Sequence, residues 1–121
     1  MTLHAALVRA VRDFNSGRYF EAHEHLEEAL EEVEGDQRWE LFLALIQVAV
    51  GYHKRASGHP GAEKMLGLAL EKLSALPDVC AGVRVAELRR RIGSDLAAPG
   101  RLSERLAEDP PRIRLVRGAS A

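Results

Sequence analysis

The stretch over residues 39–50 limits the choice of fold more than any other part of the chain. It carries Trp39, Leu41, Phe42, Leu43, Ala44, Leu45, Ile46, Val48, Ala49 and Val50. A helix written this way is apolar nearly all the way round and needs cover on most of its sides. Its polar exceptions, Glu40, Gln47 and Lys54, fall seven residues apart and therefore share one narrow stripe. The uninterrupted part is far shorter than the roughly 20 apolar residues that cross a bilayer, so a core helix is expected, with no membrane span and no membrane partner.

The neighbouring segments supply helices to cover it. Leu3, Leu7, Val8, Val11 and Phe14 recur at the spacing of one helical face, and Asn15-Ser16-Gly17 ends that helix. Ala22, Leu26, Ala29, Leu30 and Val33 repeat the pattern from Tyr19 until Glu34-Gly35-Asp36. The central helix then runs over about 37–57, Ser57-Gly58-His59-Pro60-Gly61 breaks the chain, and further helices follow over about 62–76 and 82–92. Ala22, Leu26, Ala29, Leu30 and Glu31 recur forty positions later as Ala62, Leu66, Ala69, Leu70 and Glu71, and Gly17-Arg18-Tyr19-x-x-Ala22 is similar to part of a tetratricopeptide hairpin. The fold class is therefore all-α, a compact bundle of about five helices with a tetratricopeptide-like helical hairpin. Residues 1–93 form the helical bundle domain. After Gly93 the prolines and thin apolar content predict a loosely attached C-terminal tail, residues 94–121, that the fold does not need, with 113–116 as a short extended piece.

With 121 residues, 46% of them apolar, the chain can bury a core without disulfides or a structural metal. One cysteine, Cys80, gives no disulfide and no Cys-rich metal module, and His4 and Arg9 break up the first residues so that no signal peptide is expected. A cytoplasmic location is the expectation. The net charge of −1 hides an acidic block (Glu21, Glu24, Glu27, Glu28, Glu31, Glu32, Glu34, Asp36) and a basic last third (Arg84, Arg89, Arg90, Arg91, Arg101, Arg105, Arg112, Arg114, Arg117). The basic residues are interleaved with carboxylates and lack aromatic neighbours for base stacking, so nucleic acid is not an expected partner.

Candidate chemistry concentrates in Tyr19-Phe20-Glu21-Ala22-His23-Glu24-His25-Leu26-Glu27. At 100° per residue His23 and Glu27 stand one turn apart on one shoulder of the apolar stripe, and His25 points to the other. His53 shares a face with Trp39, Phe42, Ile46 and Ala49 and is expected to point inward, with His23, Glu27 or Tyr19 as its hydrogen-bond partner. Gln47 is the single amide in the apolar run. The candidate pocket is thus Tyr19, His23, Glu24, Glu27, Gln47 and His53. His23, Glu27 and His53 are weak candidates for a divalent metal, and no cofactor is otherwise expected. No phosphate loop or nucleophile elbow is present.

The segment Phe14-Asn15-x-Gly17-x-Tyr19-Phe20-Glu21-Ala22-His23-Glu24-x-Leu26-Glu27 closely resembles the opening signature of the uncharacterised bacterial family called domain of unknown function 309. His53-x-x-x-x-Gly58-x-Pro60-Gly61 looks like its second block, and the two cover residues 14 to about 93. Leu30 stands where the family often has Trp, and Leu41-Phe42-Leu43 where it often has Leu-Gln-Gly. The resemblance implies a compact all-α fold and sets His23, Glu24, Glu27 and His53 at motif positions. It implies no activity. The function expected from these residues is a non-enzymatic helical binding module that self-associates as a homo-oligomer. The alternative is a small metal-dependent enzyme or hydrolase built on His23, Glu24, Glu27 and His53.

Overall fold

The computed structural model describes residues 3–33 and 35–116, without the side chain of Leu3. Met1, Thr2, Glu34 of the acidic block, Arg117 and the rest of 117–121 lie outside the described residues. Among those described, six α-helices carry the fold: α1 (Leu3–Asn15), α2 (Tyr19–Ala29), α3 (Gln37–Ala56), α4 (Ala62–Ser74), α5 (Val85–Ala97) and α6 (Leu102–Glu108). A 3₁₀ turn, Leu30–Val33, extends α2, and a second, Pro99–Arg101, leads into α6. The two-residue strands β1 (Val79–Cys80) and β2 (Val83–Arg84) pair as an antiparallel hairpin between α4 and α5.

Local chemistry accounts for the breaks. Gly17 closes α1 at φ +81°, a conformation that L side chains rarely adopt. Asp36 starts α3 as its N-cap, its carboxylate accepting the Arg38 amide at 2.9 Å. At the far end of α4, Arg89 reaches over from α5, donates to the carbonyls of Leu73 and Leu76 at 2.9 Å each, and pairs with Asp78. The Leu73 carbonyl also accepts the Leu76 amide at 3.1 Å where the helix ends, and the one guanidinium both caps this end of α4 and fastens α5 to it.

The central helix lies between α2 and α4. Leu41, Phe42, Ala44, Leu45, Val48, Ala49, Gly51 and Tyr52 are buried, an arc of about 180° at 100° per residue. The forty-residue echo marks the two helices that clasp this arc. Ala22, Leu26 and Ala29 of α2 are buried, and so are their counterparts Ala62, Leu66 and Ala69 of α4. Gly51 is needed for the approach of α4, because a Cβ there would come within 2.6 Å of the Leu66 side chain.

The expectation of a loosely attached tail from residue 94 does not hold for residues 94–116. Helix α5 runs through Gly93 to Ala97, since Val85, Leu88, Ile92 and Asp95 form one buried heptad-spaced face that outweighs the glycine. Leu102 of α6 and Ile113 are buried in the same core as α1–α5. Asn15 clamps the end of the chain, donating from Nδ2 to the Ile113 carbonyl at 2.9 Å and accepting the Ile113 amide at 2.8 Å. The extended piece foreseen at 113–116 exists as an added strand: Val83 bridges Leu115, the Arg84 amide donates to the Arg114 carbonyl, and the Val116 amide to that of Gly82. Few residues are involved, but each is tied by a long-range contact.

Ending the chain at Gly93 should therefore abolish cooperative urea unfolding, and Leu102→Ala alone should cost about 2–5 kcal/mol, the usual range for emptying a buried leucine site. Unfolding of the shortened chain at the wild-type urea midpoint would show that α6 and the final strand contribute nothing to the core.

Candidate functional site

Helix α2 splits the sequence motif between its two shoulders. On the inner side His25 Nε2 lies 3.1 Å from Asp13 Oδ2 of α1, and Arg18 donates to Asp13 Oδ1 at 2.8 Å. Asp13 is 7% exposed and its carbonyl also accepts the Arg18 amide, so this carboxylate fastens the α1–α2 corner from side chain and backbone together. It had a trace in the sequence: Ala6, Ala10 and Asp13 are spaced as one small-residue helical face, and all three are buried.

The outer shoulder carries His23. Its Nδ1–H donates to the Phe20 carbonyl at 2.6 Å and its Nε2 lies 3.6 Å from Glu27, a carboxylate with more than half of its side chain in solvent. Phe20 is 44% exposed, high for a phenyl ring, and lies between two imidazoles. Its ring centre is 4.8 Å from that of His23 and 5.3 Å from that of His53. Among the six expected pocket residues, the structure thus joins His23, Glu27 and His53 through Phe20, which had not been singled out. Glu24 is exposed and Gln47 is half-buried on α3 almost two turns before His53, its Oε1 enclosed without a hydrogen-bond partner.

Two expectations about orientation are corrected. His53 is not the inward group of α3, because it sits at the edge of the buried arc, and the next residue back, Tyr52, takes the interior position. Tyr19 is likewise not a pocket wall but part of the core, with ring centres 5.0 Å from Phe14 and 6.0 Å from Tyr52. Among the described residues no group of three or more His, Cys, Asp or Glu side chains is placed to hold a metal ion. His23 and Glu27 form a two-residue pair with Phe20 separating them from His53.

A fully buried polar arrangement lies in a part of the chain that had not been singled out. Asp95 is fully buried, and its carboxylate accepts Tyr52 Oη at 2.6 Å and Arg91 Nε at 2.9 Å, with Arg105 Nη1 at 3.0 Å. Helices α3, α5 and α6 each supply one partner, as a buried carboxylate requires. Its trace in the sequence was an acid continuing the Val85-Leu88-Ile92 face beyond Gly93. Burial first, then the hydrogen bond to Asp95, push the Tyr52 hydroxyl well above the usual tyrosine range. Burial likewise raises Tyr19, against the opposing charge of Arg91, and raises Cys80.

Taken together, fold and site define an all-α helical domain whose surface motif surrounds an exposed aromatic ring and whose interior is locked by ionic pins. Residues 7–66 match the sequence model of the family described as Domain of unknown function (DUF309), and the chain belongs to that family. No curated protein matches the chain significantly. The matched region takes in α1, α2, α3 and the start of α4, and so includes both shoulders of the motif and His53.

Breaking the interior pin should be far costlier than breaking the surface pair. Asp95→Asn should lower stability by about 3–5 kcal/mol, the cost of unpairing a buried ion pair, whereas His23→Ala should cost less than about 1 kcal/mol because Glu27 is largely solvated. Urea unfolding of both variants checks the contrast, and equal losses would overturn it.

Alkaline pH offers a second check. Tyr52 has a folded pKa above its unfolded value near 10, so its contribution is complete below about pH 10 and declines as pH rises further. Tyr19 acts in the same sense. Above about pH 10 the stability of wild type should fall about 1.4 kcal/mol per pH unit more steeply than that of Tyr52→Phe, one proton's worth. Parallel slopes in urea titrations would contradict this.

Proposed function

We propose that the chain is a non-enzymatic helical interaction module that self-associates through the outer face of α2 and α3. The observation that carries this is the uncovered side of the most apolar helix. Trp39, Leu43, Ile46 and Val50 are only half-buried, and at 100° per residue they form one continuous stripe along α3. Phe20, His23, Glu27 and Leu30 form the matching stripe on α2, and the contact of Phe20 with His53 joins the two.

Size and charge favour a second copy as the occupant. The 20-residue α3 is about 30 Å long and α2 with its 3₁₀ turn about 24 Å, so at about 10 Å of width each they present about 500 Å², close to the lower end for one side of a specific interface. The apolar centre is bordered by Glu27 on the α2 side and by Glu40 and Lys54 on the α3 side, and a two-fold axis across the middle of α3 sets Glu40 of one copy against Lys54 of the other. Gln47 stands near the midpoint of α3, where such an axis passes. The motif positions His23, Glu27 and His53 fall at this face, a placement that supports reading them as recognition groups.

Sedimentation velocity at micromolar concentration should give a dimer for wild type. Leu43→Glu combined with Val50→Glu should give a monomer with unchanged helical circular dichroism, since both positions are partly solvated. A wild-type protein that stays monomeric would overturn the proposal.

A further inference from the structure

The added C-terminal strand builds a second surface feature that shares no residue with the α2–α3 face. Along 112–115 the side chains alternate, Ile113 buried and Arg112 and Arg114 exposed, as an extended chain requires. The pairing of this strand with β2 brings Arg84 beside Arg114, the Arg84 amide donating to the Arg114 carbonyl. The result is an open groove of about 450 Å³ walled by Arg84, Arg112 and Arg114, with Val11, Ile113 and Leu115 as its apolar floor. Asn15 also lines it, but its amide is spent on both backbone groups of Ile113.

The charge of this groove is poorly compensated. Glu87 is shared, 3.5 Å from Arg84 Nε and 3.6 Å from Arg114 Nε. Asp109, in the adjoining hollow with Arg112, is already 3.6 Å from Arg91. Arg112 itself makes no ion pair or side-chain hydrogen bond among the described residues. Among the described residues, three guanidiniums therefore face one shared carboxylate in a chain whose net charge is −1. Like charges on neighbouring strands repel, and a concave surface of one sign concentrates counter-ions. A bound anion would supply the counter-charge that these guanidiniums lack.

We propose that this groove binds a small amphiphilic anion. The arginines hold a phosphate or carboxylate head by charge-assisted hydrogen bonds, and a short alkyl or acyl chain lies on Val11, Ile113 and Leu115. Neither feature suffices alone, because the floor cannot fix an anion and the arginines give no preference for an apolar chain.

Titrating the full chain with hexyl phosphate, and separately with inorganic phosphate, while recording amide and arginine Nε–H shifts by NMR tests both halves. Saturable shifts should centre on Val11, Asn15, Arg84 and residues 112–115. Hexyl phosphate should bind at least about tenfold more tightly than inorganic phosphate, since burying even two methylenes supplies that factor. Arg112→Gln with Arg114→Gln should weaken hexyl phosphate by about tenfold or more, with the melting temperature unchanged or raised. Should the double variant fail to fold, Arg112→Gln alone, which removes an exposed group with no ion pair, should still weaken binding severalfold. Absent or non-saturable shifts at these residues, equal affinity for the two phosphates, or variants that bind as tightly as wild type would each overturn the proposal.

Discussion

A carboxylate with no exposure cannot be left to water, and Asp95 dictates much of the arrangement around it. Tyr52, Arg91 and Arg105 must converge on one point, which fixes α3, α5 and α6 relative to one another to within hydrogen-bond distance. Holding the Tyr52 hydroxyl also fixes its ring, and the rings of Phe14 and Tyr19 pack against that ring at 6.0 Å. The pin thus reaches α1 and α2 through aromatic contacts. Arg91 carries it the other way, donating to the Asp109 carbonyl where the chain turns toward its last strand. One charge buried near the end of α5 therefore couples every helix except α4, and Arg89 attaches α4 from the same helix.

The motif on α2 does two separate tasks because successive shoulders of a helix face different neighbours. His25 serves the inside, where it meets Asp13 and closes the corner with α1. His23 and Glu27 serve the outside, next to the exposed ring of Phe20 and the half-buried His53. This division explains how a dense run of ionisable residues coexists with a site that has no enclosed pocket. It also explains why the core side of the run is rich in buried alanine, since Ala22 and Ala29 let α2 lie close against α3.

Two surfaces remain distinctive once the interior is accounted for. The α2–α3 face is apolar with polar borders, and the groove beside the last strand is basic with an apolar floor. They are built from different parts of the chain, the first within the family-matched residues 7–66 and the second largely from residues 84 and 112–115.

The sequence by itself determined the helical class, the boundaries of α1 to α4, the membership of the family and the paired roles of α2 and α4, because periodicity, glycine breaks and caps act within a few residues. It also made the α2 motif legible as the place where polar groups gather. It could not decide which of His53 and Tyr52 faces inward, since the apolar pattern of this segment runs nearly all the way round and takes in both, and only the packing of the neighbouring helices separates them. It misjudged residues 94–116, because Asp95 continues the Val85-Leu88-Ile92 spacing with an acid, and single apolar residues such as Leu102 and Ile113 leave no periodic pattern of their own. Their burial depends on partners 40 to 100 positions away, such as Tyr52 for Asp95 and Asn15 for Ile113, and contacts at that range exist only after the helices have packed.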